Sequence, residues 1–439
     1  MILPRELINE VKSLRLNSNQ IAVGLDICND LYQRSHLDEY VPINKNRYRT
    51  VLGISKLKGV VRALYKAKII KRDFYTPEIK SYYYRIAKTY NEFVNYNNIN
   101  FKISQLDAKN SRQYKYRLQK QPEYLKQMTK PIKEIKWDME HLKKWIANYK
   151  PTEQELTIRN KKHHYKEKVS MEQYTDYVRE AMLYSLANIE NKNWKFQRDK
   201  KSYRLHTNVT NMKTALFKET TSKFIEIDIN NSQPFMLKVL IEYFVHYNKQ
   251  NIKGIKGNGN TIRGGNEVTK ALFSIVHQLV RKDNSVILSL IEVPEFKNEF
   301  LKFSKIVGGG KFYEYFMDKF QLTRDMVKVL MFEILFSKNT SYRKDKAVFI
   351  KEFPMINQFV EWMKKDEHNQ LAIVLQRIES YVIIDVLCKR LVEVSIIPIT
   401  KHDSIIIKPH HKEKALSIFK EVLLQVCGSM AALTDKPLK

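Results

Sequence analysis

"FIEIDINNSQPFML", residues 224–237, alternates apolar and charged side chains up to Asp228 and then runs into Asn-Asn-Ser-Gln-Pro. A period of two predicts a half-buried strand. That strand ends on a carboxylate and a row of amides, where more strand or a plain turn would be expected. A distant segment, "VSIIPITKHDSIIIKP" at 394–409, reads as two β-branched runs joined by a tight turn that carries His402 and Asp403. A hairpin tip beside a strand end brings Asp228 and Asp403 together. Two neighbouring carboxylates are costly unless a cation offsets them, and divalent metal is the usual partner. Paired magnesium ions about 3.5–4 Å apart suit an in-line phosphoryl displacement. The plain alternative is that Asp403 only makes the turn, as Asp-Ser often does.

A third segment, "TRDMVKVLMFEILFS" at 323–337, has helical spacing and sets Arg324, Lys328, Phe332 and Phe336 at successive four-residue steps on one face. Cations followed by aromatics suit a nucleoside triphosphate, the charged end holding phosphates and the aromatic end stacking on the base. Taken alone, this is also an ordinary amphipathic pattern.

Composition bounds the partners. In 439 residues, 77 Lys and Arg face 47 Asp and Glu, a net charge of +30. Such a field favours a polyanion, nucleic acid ahead of an anionic membrane surface. No stretch has the length and apolarity of a membrane span, and the opening "MILPRELINEVKSL" lacks the apolar core of a secretion signal, so the expectation is a cytoplasmic protein with no membrane partner. Cys28, Cys388 and Cys427 are scattered without metal-ligand spacing and read as structural.

Three regions are expected: an N-terminal unit over 1–100, a basic helical region over 101–200 and a core over 201–439. In the first, residues 54–86 read as a helix with Leu57, Val60, Val61 and Leu64 on one face, then two strand-like runs around a Thr-Pro-Glu turn. That order resembles a winged helix, in which a basic helix and a hairpin wing meet nucleic acid; a helical cap with a solvated lysine face is the alternative. Residues 101–168 carry 18 Lys and Arg against 8 Asp and Glu, interleaved with Tyr114, Tyr116, Trp137 and Trp145. This mixture suits a phosphate-neutralising, base-packing surface or a solvated helical face. "KGIKGNGNTIRGG" at 253–265 fits no phosphate-loop spacing and reads as a connection. Asp138-x-Glu140, the best match to a nuclease pair, has helical rather than strand surroundings. No proofreading domain is expected.

In chain order the segments 224–237, 323–337 and 394–409 resemble motifs A, B and C of the family A DNA polymerases, with some features of the phage-type single-subunit RNA polymerases. "YRLHTNVTNMK" at 203–213 resembles the segment before motif A, with Arg204 at the arginine that touches the primer end. "LQRIESYVIIDVL" at 375–387 resembles the helix before motif C, with Gln376 at its glutamine. The resemblance covers about 201–427. It implies a mostly helical α+β right-hand fold, with a small antiparallel palm sheet, helical fingers and a thumb formed by the basic helices. It further implies that Asp228 and Asp403 bind two Mg2+ ions, with Mn2+ as an alternative, and that Arg324 and Lys328 hold the triphosphate. Phe332 would then meet the base, His402 the primer-terminal region, Gln376 the nucleic acid, and Asn231 the sugar or template. The family's Asp-x-Ser-Gln-x-Glu becomes Asp228-x-Asn230-Asn231-x-Gln233, so the glutamate that excludes ribose is Gln233 here. Glu333 and Ser337 stand where motif B has glycines, and motif C ends in Ser404, as in the RNA polymerases. The expected function is a template-dependent nucleotidyltransferase, a compact DNA polymerase of a phage, plasmid or other mobile element. It would take a DNA primer-template and deoxynucleoside triphosphates and prefer deoxynucleotides. An RNA polymerase or primase, with RNA among its partners, is the alternative on the same fold; an inactive DNA-binding replication initiator is the alternative of another class.

Overall fold

The computed structural model describes residues 2–34, 41–43, 48, 52–72, 83–87, 93–95, 118, 120–162, 169–192, 194–210, 212–220, 222–252, 267–280 and 285–438. Tyr114, Tyr116, the Thr-Pro-Glu turn and the glycine-rich segment 253–265 lie outside the described residues. The chain divides into two compact units, Met1–Lys120 with Met139–Lys195, and Gln121–Asp138 with Phe196–Lys439. Both are mostly helical with small antiparallel sheets, an α+β composition. Among the described residues no helix is long and apolar enough to cross a membrane.

The first unit opens with β1 (Ile2–Pro4), α1 (Arg5–Ser13) and α2 (Ser18–Arg34), followed by β2 (Val41–Pro42), α3 (Ile54–Lys66), β3 (Ile70–Arg72), β4 (Tyr83–Ile86) and β5 (Phe93–Asn95). β1 pairs with β5, and β2-β4-β3 form a three-stranded antiparallel sheet. The helix-then-hairpin order expected over 54–86 is present as α3, β3 and β4. Leu57, Val60 and Leu64 of α3 enter a core with Leu7, Val11, Val23, Ile27 and Leu31, as their 3–4 spacing requires. The opposite face leaves Lys56, Lys58, Arg62 and Lys66 exposed. Three further helices, Met139–Asn148, Glu153–Lys162 and Met171–Glu190, belong to this unit. The last opens with a capping box between Ser170 and Gln173.

The second unit is built around a four-stranded antiparallel sheet of order β11-β8-β10-β9, with β8 at Ile225–Ile229, β9 at Ile399–Lys401, β10 at Ser404–Ile407 and β11 at Leu433–Pro437. A separate hairpin, β6 (Phe196–Arg198) with β7 (Leu205–Thr207), precedes it. Helices follow β8: α4 (Ser232–Ile252), then Glu267–Leu279, Ser285–Glu292, α5 (Pro294–Gly308), α6 (Phe312–Phe320), α7 (Arg324–Phe336), Arg343–Glu352, α8 (Pro354–Met363) and α9 (Gln370–Ser380). Phe303, Phe312, Phe316, Phe349 and Phe353 are all fully buried in one aromatic cluster that fixes α6 beside its neighbours. α9 runs on into a π-helical segment, Tyr381–Cys388, before a last α-helical turn at Lys389–Glu393. A π segment widens the helix and shifts the facing of every later side chain, which sequence periodicity does not signal.

Candidate active site

The β8–β10 register creates the site. Ser404 is the partner of Asp228 across the ladder, and Asp403 is the residue before Ser404, at the end of the two-residue turn from β9. The other turn residue, His402, has φ +58°, a left-handed conformation that non-glycine residues seldom adopt. Antiparallel pairing thus delivers both carboxylates to one end of the sheet. Burial, then Asp403 and Glu226, push the Asp228 carboxyl up to about 7, with Lys436 and Lys328 partly offsetting. Asp403 is raised by burial too, against Lys328, Arg204 and the Ser232 hydroxyl.

Asp228 Oδ1 is buried and has no hydrogen-bond partner among the described residues. Two desolvated, mutually repelling oxygen donors, one with an orphaned atom, fit a hard divalent cation. Among the described residues no group of three or more His, Cys, Asp or Glu side chains forms a metal cage. Magnesium is commonly held this way, by one or two carboxylates with water and phosphate oxygens completing the shell. Glu226 shares the Asp228 face of β8 and accepts a hydrogen bond from Ser404 Oγ at 2.8 Å. Strand alternation could have pointed to it.

α7 carries the expected cation–aromatic face. Val327, Leu330, Met331, Ile334 and Leu335 are buried, while Arg324, Phe332 and Phe336 are half-buried and Lys328 is exposed. Lys328 acts on both aspartates electrostatically. Arg324 Nε pairs with Glu314 Oε1 at 2.6 Å and lies 5.5 Å from the Tyr313 ring. Phe332 and Phe336 stack at 5.8 Å between centroids. Tyr313 is buried, and burial followed by Asp403 raises its hydroxyl well above the usual range. Nothing in the sequence marked Tyr313 or Glu314.

The turn from β8 into α4 explains the amides. Asn230 N–H donates to Ala432 O at 2.9 Å, and its side chain meets Thr434 Oγ1 of β11. Asn231 takes φ +57°, which asparagine tolerates better than most residues, and so reverses strand into helix. Both amide atoms of the Asn231 side chain are buried without a partner. At the start of α4, Ser232 Oγ and Gln233 Nε2 donate to Glu379 Oε2 at 3.0 and 2.5 Å. Arg204 donates to Glu379 Oε1 from Nε at 2.8 Å and lies 2.6 Å from it through Nη2. Glu379 is fully buried on α9. Burial raises its carboxyl and Arg204 draws it back down.

The residue of α9 that joins Arg204 to this network is therefore Glu379. Gln376, the position singled out by the resemblance, lies one turn earlier and half-buried. His402 is pushed down to about 4 by burial, then by Arg204, His206 and Lys401, so its ring is neutral near pH 7. Its Nδ1 is buried without a partner. A second network holds the β6–β7 hairpin that presents Arg204. Arg198 pairs bidentately with Asp385 of the π segment at 2.7 and 2.6 Å, and Tyr124 Oη donates to the same carboxylate at 2.9 Å. Tyr203, at φ +59°, sits under the Arg377 guanidinium at 3.2 Å from its ring centroid.

No family model matches the sequence, and no curated protein matches it. Among solved structures the chain is similar to the POL domain of Pol1 from M. smegmatis in complex with DNA primer-template and dNTP, with a TM-score of 0.29 and 10% identity over 66% of this chain and 56% of that one. The chain therefore spans a little over half of that structure's length.

Proposed function

We propose that the chain is a template-dependent nucleotidyltransferase, a DNA-directed DNA polymerase of the family A type without a proofreading domain. The observation that carries this reading is the Asp228–Asp403 pair at the end of β8 and β10, with Lys328 acting on both. Asp228 and Asp403 would hold Mg2+, which lowers the cost of charge on the attacking and leaving oxygens in phosphoryl transfer. Lys328, exposed and acting on both aspartates, would meet the triphosphate. Arg324 joins it on the same face, and Phe332 and Phe336 offer a stacked apolar surface for the base. Arg204, Asn231, Gln376 and His402 would meet the primer and template. The neutral His402 ring can donate or accept a hydrogen bond there without adding charge.

The exposed basic face of α3, with Lys56, Lys58, Arg62 and Lys66, supports a phosphate-backbone contact for the N-terminal region, and the basic helices up to residue 200 support a duplex-gripping role. Primer extension with DNA and RNA templates, each offered dNTPs or NTPs in magnesium, tests the reading. Template-directed addition of deoxynucleotides is expected. Failure to extend with every combination would overturn it, and preferred use of ribonucleotides would give the assignment to an RNA polymerase or primase.

A further inference from the structure

By the motif resemblance Gln233 stands where the proposed reaction would read the sugar of the incoming nucleotide, and its amide is ambiguous by itself. Either the oxygen or the NH2 group can face the substrate, and the flexible side chain can also swing aside. The structure removes that freedom. Glu379 receives Arg204 Nε and Nη2, Ser232 Oγ and Gln233 Nε2, so every one of these contacts is a donor. Burial pushes the Glu379 carboxyl up to about 7 while Arg204 and Ser232 favour its anion, and the anion accepts only. Gln233 turns its nitrogen to Glu379, at 2.5 Å, and its oxygen away. That oxygen is buried with no partner among the described residues.

We propose that Glu379 is a positioning residue that locks the Gln233 side chain in place, and that this lock gives the site its selectivity for deoxyribose over ribose. The proposal rests on the polymerase reading above. A neutral amide has roughly the volume of a carboxylate, but it excludes a 2′-hydroxyl only if it cannot yield. The charge-assisted hydrogen bond to a carboxylate that Arg204 and Ser232 hold in place makes yielding costly. Gln233 is thereby made to behave as a rigid wall. Arg204 shares the same carboxylate, so the wall and the proposed primer-end arginine are coupled through Glu379.

The test uses the full-length protein, Glu379→Gln, Gln233→Ala and the double variant, in competition between dATP and ATP. Two readouts are taken: extension of a primer, and equilibrium binding of Mg·dATP and Mg·ATP without primer. A ratio of the two sugars is insensitive to the fraction of protein that is folded, so a merely structural role would not move it. Glu379→Gln keeps the shape but replaces the anion with an amide that can accept or donate. The expected result is that the deoxy-to-ribo preference falls by about tenfold, the size of one charge-assisted hydrogen bond. In the Gln233→Ala background the same change should alter the ratio by less than about twofold, since the two residues act through one contact.

An unchanged ratio in Glu379→Gln overturns the proposal, as does an equal fall with and without Gln233. A wild-type protein that binds the two nucleotides with the same affinity and incorporates them equally also overturns it while leaving the polymerase reading standing. A protein that never extends a primer, yet shows the binding preference and its dependence on Glu379, overturns the polymerase reading and sustains the lock.

Discussion

Asp228 and Ser404 face each other across the β8–β10 ladder, and this single register pairing decides where the chemistry can occur, because Asp403 precedes Ser404 by one residue. A slip of one position would send Asp228 to the opposite face of the sheet. Replacing Asp228 or Asp403 with Ala is expected to lower magnesium-dependent incorporation by at least about a hundredfold. Binding to primer-template DNA, measured by anisotropy, should persist, since these residues add negative charge rather than phosphate contacts. Full extension by either variant would remove the pair from the reaction.

Arg324 is held by Glu314 at 2.6 Å, and both side chains are 41% exposed. A pair that open to solvent contributes little, so a triphosphate should displace Glu314 readily. Glu314→Gln is expected to tighten nucleotide binding by about two- to fivefold, and Arg324→Ala to weaken it. Equilibrium titration with a fluorescent nucleotide measures both. Weaker binding by Glu314→Gln would mean that the glutamate positions the arginine for the ligand instead of competing for it.

Gly310 joins α5 to α6 at φ +72°, and a Cβ there would lie 2.6 Å from Ala432 Cβ and 3.1 Å from Asn230 Cβ. Gly310→Ala therefore combines an unfavourable backbone conformation with a clash against the strand end that follows Asp228. A loss of about 1–3 kcal/mol of stability is expected in urea unfolding, accompanied by reduced incorporation. An unchanged midpoint would show that this junction has room to relax.

Lys364, at the end of α8, is buried and donates to the carbonyls of Ile334 and Ser337 at the end of α7, 3.2 Å in each case. Burial, then Lys346, lower its ammonium to about 7, with Glu361 opposing. An unfolded lysine keeps its proton up to about 10.4. Between about pH 7 and pH 10 the unfolded chain thus binds more protons, and stability contributed by this group rises with pH; below about 7 both states hold the proton and the slope disappears. The urea midpoint of the wild type should gain on that of Lys364→Met between about pH 7 and pH 9. A constant gap between the two proteins would place the titration elsewhere.

Local patterning alone identified β8, the β9–β10 hairpin, α7 with its cation–aromatic face, and the helix-and-hairpin order of α3, β3 and β4. Each depends on a short period of apolar side chains or on turn chemistry, which neighbouring residues determine. The residues that orient the site were decided only by the tertiary structure. Glu379, Tyr313, Glu314 and Asp385 stand in sequences that read as ordinary helix, and their roles come from partners up to 187 residues away, as in the Arg198–Asp385 pair. The π-helical segment had no sequence signature either, because it changes the helix period itself. A buried carboxylate acquires its role from the donors that folding sets around it, and that arrangement depends on strand register and helix packing that no local window contains.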